Sequence, residues 1–219
     1  MLQPATLRFL RQLSRNNNRD WFNANKHLYE AAKSDFEKFV GDLIAGIGKF
    51  DKSVSGLKAK DCTFRIYRDV RFSKNKDPYK NNFGAYIASG GKKSMKPGYY
   101  IHIQANGKSF LAGGAYMPQG PVLAALRQEI DYNLKEFERI LKSKTFSKFF
   151  KKLEGAQVKT TPKGYAKDHP AIAFLKHKDF LAMHNIGDLQ LLSKNVSGYV
   201  AKGFEAMKPL NDFLSRAYG

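Results

Sequence analysis

The chain has 219 residues, enough to bury a core without disulfide or metal staples, since a domain of this size removes roughly 70% of its unfolded surface from water. Hydrophobic residues at 42% and charged residues at 26%, with 17 Phe and 11 Tyr, are the composition of a globular protein and exclude a disordered one. A net charge of +19 points to anionic partners, and the single cysteine excludes an internal disulfide and any cysteine-built metal cluster.

Read in chain order, Leu7, Leu10 and Leu13, with Phe9, mark a first helix after Pro4, broken at Asn16-Asn17-Asn18. Asp20 is expected to cap a long helix running to about Gly48, with Trp21, Leu28, Phe36, Phe39, Val40, Leu43 and Ile47 on its buried stripe. Cys62 reads as a small buried hydrophobe. Residues 61–69 alternate as a strand, with Phe64 and Ile66 on one face and Arg65 and Tyr67 on the other. A second strand is expected over Phe83–Ala88. Residues 99–104 and 109–114 then form a hairpin. Taking Asn106-Gly107 as a two-residue turn sets Ile103 opposite Phe110 and Ile101 opposite Ala112, with Tyr100, His102 and Gln104 on the other face. Gly113-Gly114 suggests a bulge or a close backbone approach.

Pro121 opens a helix with Leu123, Leu126 and Ile130 inward. After a break the helical pattern resumes through Phe137, Ile140 and Leu141, then Phe146, Phe149, Phe150 and Leu153. Thr160 to Pro170 is a loop, in which His169 is read as a turn and capping element. Ala171–Lys176 is helical, Phe180–Ile186 a strand, and the tail from Val196 a helix interrupted near Pro209. The pattern is one of α+β, a mainly antiparallel central sheet with helices at both ends of the chain, forming a single domain over 1–219. The N-terminus lacks a signal-peptide pattern, and no apolar run approaches the roughly 18 residues a membrane span requires. Together with the near absence of cysteine, this sets the expectation of a cytoplasmic protein without a membrane partner.

Candidate chemistry concentrates in Arg65 to Lys80, where six basic residues stand against two acids and are interleaved with Tyr67, Phe72 and Tyr79. Arginine presents a planar fork of donors that matches phosphate or carboxylate. Arg65, Arg68 and Arg71, with Lys76 and a hydroxyl from Tyr79, are the candidate ligand-binding residues. Asp69 would orient one arginine or act as a base. His102 is the other eligible base, so Asp69 and His102 are the candidate catalytic residues of an enzyme reading. The histidines share no ligand spacing, and neither a metal nor a cofactor is expected. Three functions fit these residues: a pocket for a phosphorylated or carboxylated small molecule, a non-catalytic nucleic-acid-binding surface in which aromatics stack and lysines track phosphates, and a scaffold whose Arg/Asp set is structural.

The spacing Arg65-x-x-Arg68-Asp69-x-Arg71-Phe72-x-x-Asn75-Lys76-x-x-Tyr79 resembles the signature of an uncharacterised bacterial and fungal family, domain of unknown function 2461. Asn17-Asn18-x-Arg19-x-Trp21-Phe22-x-x-Asn25-Lys26, the strand Tyr99–Ile103, Pro162–Tyr165 and Asp168–Pro170 resemble it as well, so the likeness covers nearly the whole chain. It implies no reaction, cofactor or ligand, but it does imply that Arg65, Arg68, Asp69, Arg71, Lys76 and Tyr79 belong to one site.

Overall fold

A computed structural model describes residues 1–219. Helix α1 (Pro4–Arg15) buries Leu7, Phe9, Leu10 and Leu13, with proline in its first turn, where a missing N–H costs nothing. The long helix expected next is instead two. Asn18, not Asp20, accepts from Trp21 N (2.9 Å) and caps α2 (Arg19–Ala24), and the chain breaks at Asn25 before α3 (Lys26–Ile47). The Asn25 side chain donates to Trp21 O (2.8 Å), the carbonyl that also accepts the Asn25 backbone N–H (3.0 Å), and so caps the end of α2. Phe36, Phe39, Val40, Leu43 and Ile47 of the predicted stripe are buried, whereas Trp21 and Leu28 are only partly covered.

After the single turn α4 (Ala59–Cys62), β1 (Phe83–Ile87), β2 (Gly98–Ile103), β3 (Ser109–Ala115) and, much later, β4 (Phe180–Ile186) form one four-stranded sheet. Its order is β1-β2-β3-β4 and every pairing is antiparallel, as the α+β reading requires. Between β3 and β4 run α5 (Gly120–Tyr132), α6 (Leu134–Lys142), α7 (Lys144–Phe149) and the short α8 (Ile172–Leu175). The turn α9 (Asp188–Leu191) and the long α10 (Val196–Ser215) complete the chain. Pro209 lies inside α10 without interrupting it. The lost N–H bond is outweighed by Phe204, Met207, Leu210, Phe213 and Leu214, which bury on both sides of the proline. One apolar cluster of 46 buried residues runs from Leu2 to Leu214 and includes Cys62.

The β2–β3 register differs by one residue from that of a two-residue turn: Ile101 faces Leu111, and His102 faces Phe110. The connection is a five-residue loop, 104–108, closed by the Ser109 hydroxyl, which accepts from Gln104 N (2.9 Å) and donates to Gln104 O (2.8 Å). Because side chains alternate, the slip sends Leu111 into the core and Phe110 to the opposite face. β3 continues past Gly113-Gly114, and the close approach expected there is present. Gly114 sits at φ 112°, where a Cβ would run into the Phe180 carbonyl on β4. Helices α3 and α10 pack on the core face of the sheet. The other face carries Tyr86, Tyr100, His102, Phe110, Leu181 and Met183, and most of these floor a cleft.

Candidate ligand-binding cleft

The segment read as a strand over 61–69 makes only isolated bridges, Thr63 with Ala85 and Tyr67 with Tyr79. Phe64 N donates to Gly84 O (2.9 Å), Lys80 N to Ile66 O (2.8 Å) and Arg68 N to Pro78 O (2.9 Å), so residues 64–68 and 78–80 form an irregular hairpin beside β1. Pro78 has no N–H to extend the ladder, which keeps the pairing from becoming regular. Nor does the expected alternation hold: Ile66 is buried while Phe64 is exposed. The returning arm is fixed to the helical layer by Asn17, whose side chain accepts from Tyr79 N (3.1 Å) and donates to Tyr79 O (2.9 Å). The Tyr79 ring stacks on Phe22 with centroids 3.9 Å apart and planes 14° apart.

The hairpin tip is held by its own polar groups. Arg71 forms a two-pronged pair with Asp69 (Nε–Oδ1 3.0 Å, Nη2–Oδ2 2.6 Å). These bonds from Arg71 hold the Asp69 carboxyl below the ordinary carboxylate value and raise the guanidinium in turn. Arg68 donates to Asp77 O (3.1 Å) and Ser73 Oγ (3.2 Å), and Lys76 Nζ to Val70 O (3.1 Å). Phe72 stands at the tip, 96% exposed, with the Arg71 guanidinium 5.9 Å from its ring centroid.

Behind this hairpin the outer face of the sheet forms a cleft of about 680 Å³, lined largely by apolar side chains, among them Tyr100, Phe110, Met183 and Met95. The site for the Tyr100 ring is made by Gly84 on the neighbouring strand, where a Cβ would press on the Tyr100 hydroxyl. Burial pushes that hydroxyl's pKa up to about 12 and raises that of Tyr86 further, so both rings stay neutral. Two lysines line the same cleft. Lys92 Nζ donates to Lys60 O (2.6 Å). Lys80 Nζ makes no hydrogen bond and has no carboxylate within 4.0 Å; it lies 5.6 Å from the Phe64 ring centroid. Burial, and then the neighbouring Arg65 guanidinium, push its ammonium below the ordinary lysine value.

At the end of the sheet face His102 stacks on Phe110 (centroids 4.6 Å apart, planes 11° apart). Its Nε2 lies 2.8 Å from Gln104 Oε1, so the network places the proton on Nε2. Nδ1 is left to accept from Tyr100 Oη (3.2 Å) and Asn82 Nδ2 (3.3 Å). Burial lowers the ring's pKa, opposed by the Gln104 bond, and the imidazole is neutral.

The predicted site residues are thus distributed over four places. Asp69, Arg68, Arg71 and Lys76 are spent on the hairpin tip, Tyr79 on the stack against Phe22, and His102 on the sheet face; Arg65 is exposed beside Lys80. The cleft residues Tyr86, Tyr100, Phe110, Met183, Lys80 and Lys92 were not singled out from sequence. The outward alternation of aromatics along β1, β2 and β3 was the signal available. His169 is a turn element, without capping α8: Ala171 N donates to its Nδ1 (3.2 Å) and Asp131 Oδ1 lies 3.0 Å from its Nε2. No three histidine, cysteine or acidic side chains are grouped so as to hold a metal ion, and no helix is long and apolar enough to cross a membrane.

The molecule is therefore an α+β protein built on an antiparallel four-stranded meander whose outer face floors a cleft beside a basic hairpin. It belongs to a family of conserved hypothetical proteins (DUF2461), whose model matches residues 5–213, nearly the whole chain, as the Arg65–Tyr79 motif implies. No curated protein and no solved structure matches the chain.

Proposed function

We propose that the cleft binds an amphipathic organic anion. Its aromatic or apolar body would lie against Tyr100, Phe110 and Met183, with its phosphate or carboxylate drawn to Lys80, Lys92 and Arg65. The observation that carries this reading is the unpaired Lys80 ammonium in an apolar cleft beside a second cation. Placing like charges together without an acid costs stability that an anionic ligand would return. Arg68, Arg71, Lys76 and Tyr79 act at one remove, by shaping and anchoring the hairpin that carries Arg65 and Lys80. The Asp69–Arg71 pair is open to solvent, and such pairs do little for stability, which speaks against a purely structural motif. The lone cysteine is a free buried thiol, in keeping with a cytoplasmic setting.

The test is a thermal-shift screen of phosphorylated and carboxylated aromatic compounds, followed by calorimetry on wild type and Lys80→Met. A ligand at about 100 times its Kd adds roughly 2.7 kcal/mol of stability, well within reach of the screen. Lys80→Met is expected to lose that shift. A ligand that binds Lys80→Met as tightly as wild type would remove the basis of the reading.

Phe72 favours a second reading, a contact with single-stranded nucleic acid. A base would stack on the exposed ring while Arg71, Lys74 and Lys76 meet phosphates. Anisotropy of labelled oligonucleotides should then fall in Phe72→Ala at near-physiological salt, with a slope of about 0.7 in log K per phosphate neutralised. Binding that ignores Phe72 and disappears with salt would leave only the general attraction of the +19 charge.

A further inference from the structure

We propose that Lys80 is a nucleophilic amine, and that the cleft holds carbonyl compounds bearing a phosphate or carboxylate as a Schiff base on Lys80 Nζ. This deepens the cleft reading and rests on it.

Three features set Lys80 apart from the other lysines. Its backbone is fixed from both sides, by its own N–H on Ile66 O (2.8 Å) and by the Asn17 clamp on the preceding residue. Its amine points into a cleft whose walls are rings and thioethers, so no acid stabilises the charged form. And its neighbour Arg65 is a permanent cation, which disfavours a second positive charge. Other lysines have acids beside them, such as Lys208 with Asp212 (2.6 Å) and Lys142 with Glu138 (2.9 Å). The Phe64 ring, at 5.6 Å, is the one favourable partner of the Lys80 charge and returns less than a carboxylate would. A lysine set in an apolar pocket beside another cation is the arrangement that frees an amine for attack on carbonyls.

The division of labour follows. Arg65 and Lys92 hold the acid group. The neutral Lys80 amine adds to the carbonyl carbon, forming the C–N bond as the carbonyl π pair moves to oxygen. That oxygen takes up the proton the nitrogen sheds. The carbinolamine then expels its hydroxyl, which leaves with the second amine proton as water, and the nitrogen lone pair closes the imine. Amine and carbonyl give imine and water, with no oxidant or reductant.

The experiment uses pyridoxal 5′-phosphate, a phosphorylated aromatic aldehyde, with cyanoborohydride to trap the imine, and mass spectrometry to map every lysine. Pyridoxine 5′-phosphate, which has no carbonyl, reports non-covalent binding by calorimetry. The first mole of label is expected on Lys80, with a labelling rate that reaches its plateau at lower pH than those of surface lysines. Lys80→Arg, checked for folding by circular dichroism, should lose that label. Label spread over lysines in proportion to their exposure would overturn the proposal. If the alcohol binds in competition with the aldehyde but Lys80 stays unlabelled, the Schiff base fails and the cleft reading stands. If Lys80 takes the label and the alcohol does not bind, the Schiff base stands and the non-covalent reading fails. If neither occurs, both fail.

Discussion

Asn17 offers the sharpest test of how the hairpin is held. Its amide makes two bonds to the Tyr79 backbone, at 3.1 Å and 2.9 Å, taking up the N–H and C=O that point away from the Tyr67 arm of the hairpin. In Asn17→Ala both backbone groups lose their partners at a half-buried position. Each such bond contributes about 0.5–1.5 kcal/mol net, so the variant should lose about 2 kcal/mol. For a chain of this size that is a fall in Tm of roughly 4–8 °C. Urea unfolding should show a lower midpoint with an unchanged slope, since no large surface is newly exposed. The informative control is the adjacent Asn18→Ala, which removes the α2 cap for about 1 kcal/mol and leaves the hairpin alone. The two should separate in ligand binding. Asn17→Ala loosens the arm that carries Lys80 and should weaken a cleft ligand, whereas Asn18→Ala should not. Loss of less than about 0.5 kcal/mol in Asn17→Ala, within the range of an ordinary surface change, would refute the clamp. Equal effects of both variants on the ligand would sever the clamp from the cleft.

Gly114→Ala places a Cβ at φ 112° against the Phe180 carbonyl. Strain of about 1–3 kcal/mol is expected, measured as a lower urea midpoint, and an unchanged midpoint would refute the close β3–β4 contact at Gly114. His102 gives a pH signature. Burial puts its folded pKa below the unfolded value of about 6.5, so the unfolded chain takes up the proton first as pH falls. Its share of stability is therefore present above pH 6.5 and lost from there down to the folded pKa. The stability difference between wild type and His102→Gln, followed by urea unfolding from pH 7.5 to 5, should shrink on acidification; a widening difference would contradict the neutral ring. Cys62 is fully buried, and burial raises its thiol pKa to about 11, followed by the effect of Asp61. A thiol reagent should label it only after unfolding, and rapid native labelling would place it elsewhere.

The helices were legible because their apolar spacing is local: Leu7, Leu10 and Leu13 bury as α1, and Leu126 and Ile130 as α5, as the pattern requires. What failed depended on partners far along the chain. The long helix expected from Asp20 divides because Asn18 and Asn25 use their side chains on the backbone of α2, and asparagines serve as caps or as solvated surface with equal ease. The Arg65–Tyr79 motif was visible as a unit, but its geometry was not. Which arginine meets Asp69 and which turns to Asp77 O follows from a hairpin whose return arm is anchored by Asn17, a contact across 62 residues of sequence.

The cleft was hidden by a single residue of register. With Asn106-Gly107 as a two-residue turn, Phe110 pairs with Ile103 and belongs to the core, and the hairpin's outer face carries Tyr100, His102 and Gln104. Both residues do adopt the left-handed conformation such a turn needs, at φ 67° and 70°. Yet their N–H groups are taken by the Asp188 carboxylate (3.1 and 2.9 Å), and the Ser109 hydroxyl closes the loop on Gln104. These side chains favour a five-residue loop over the tighter turn, and the one-residue slip that follows turns Phe110 outward to stack on His102 beside Tyr100. The aromatic floor of the cleft is thus set by an aspartate at the start of α9, on a segment that contributes nothing to the cleft itself. Turn residues alone suggest the tighter hairpin; tertiary hydrogen bonds select the register that builds the cleft.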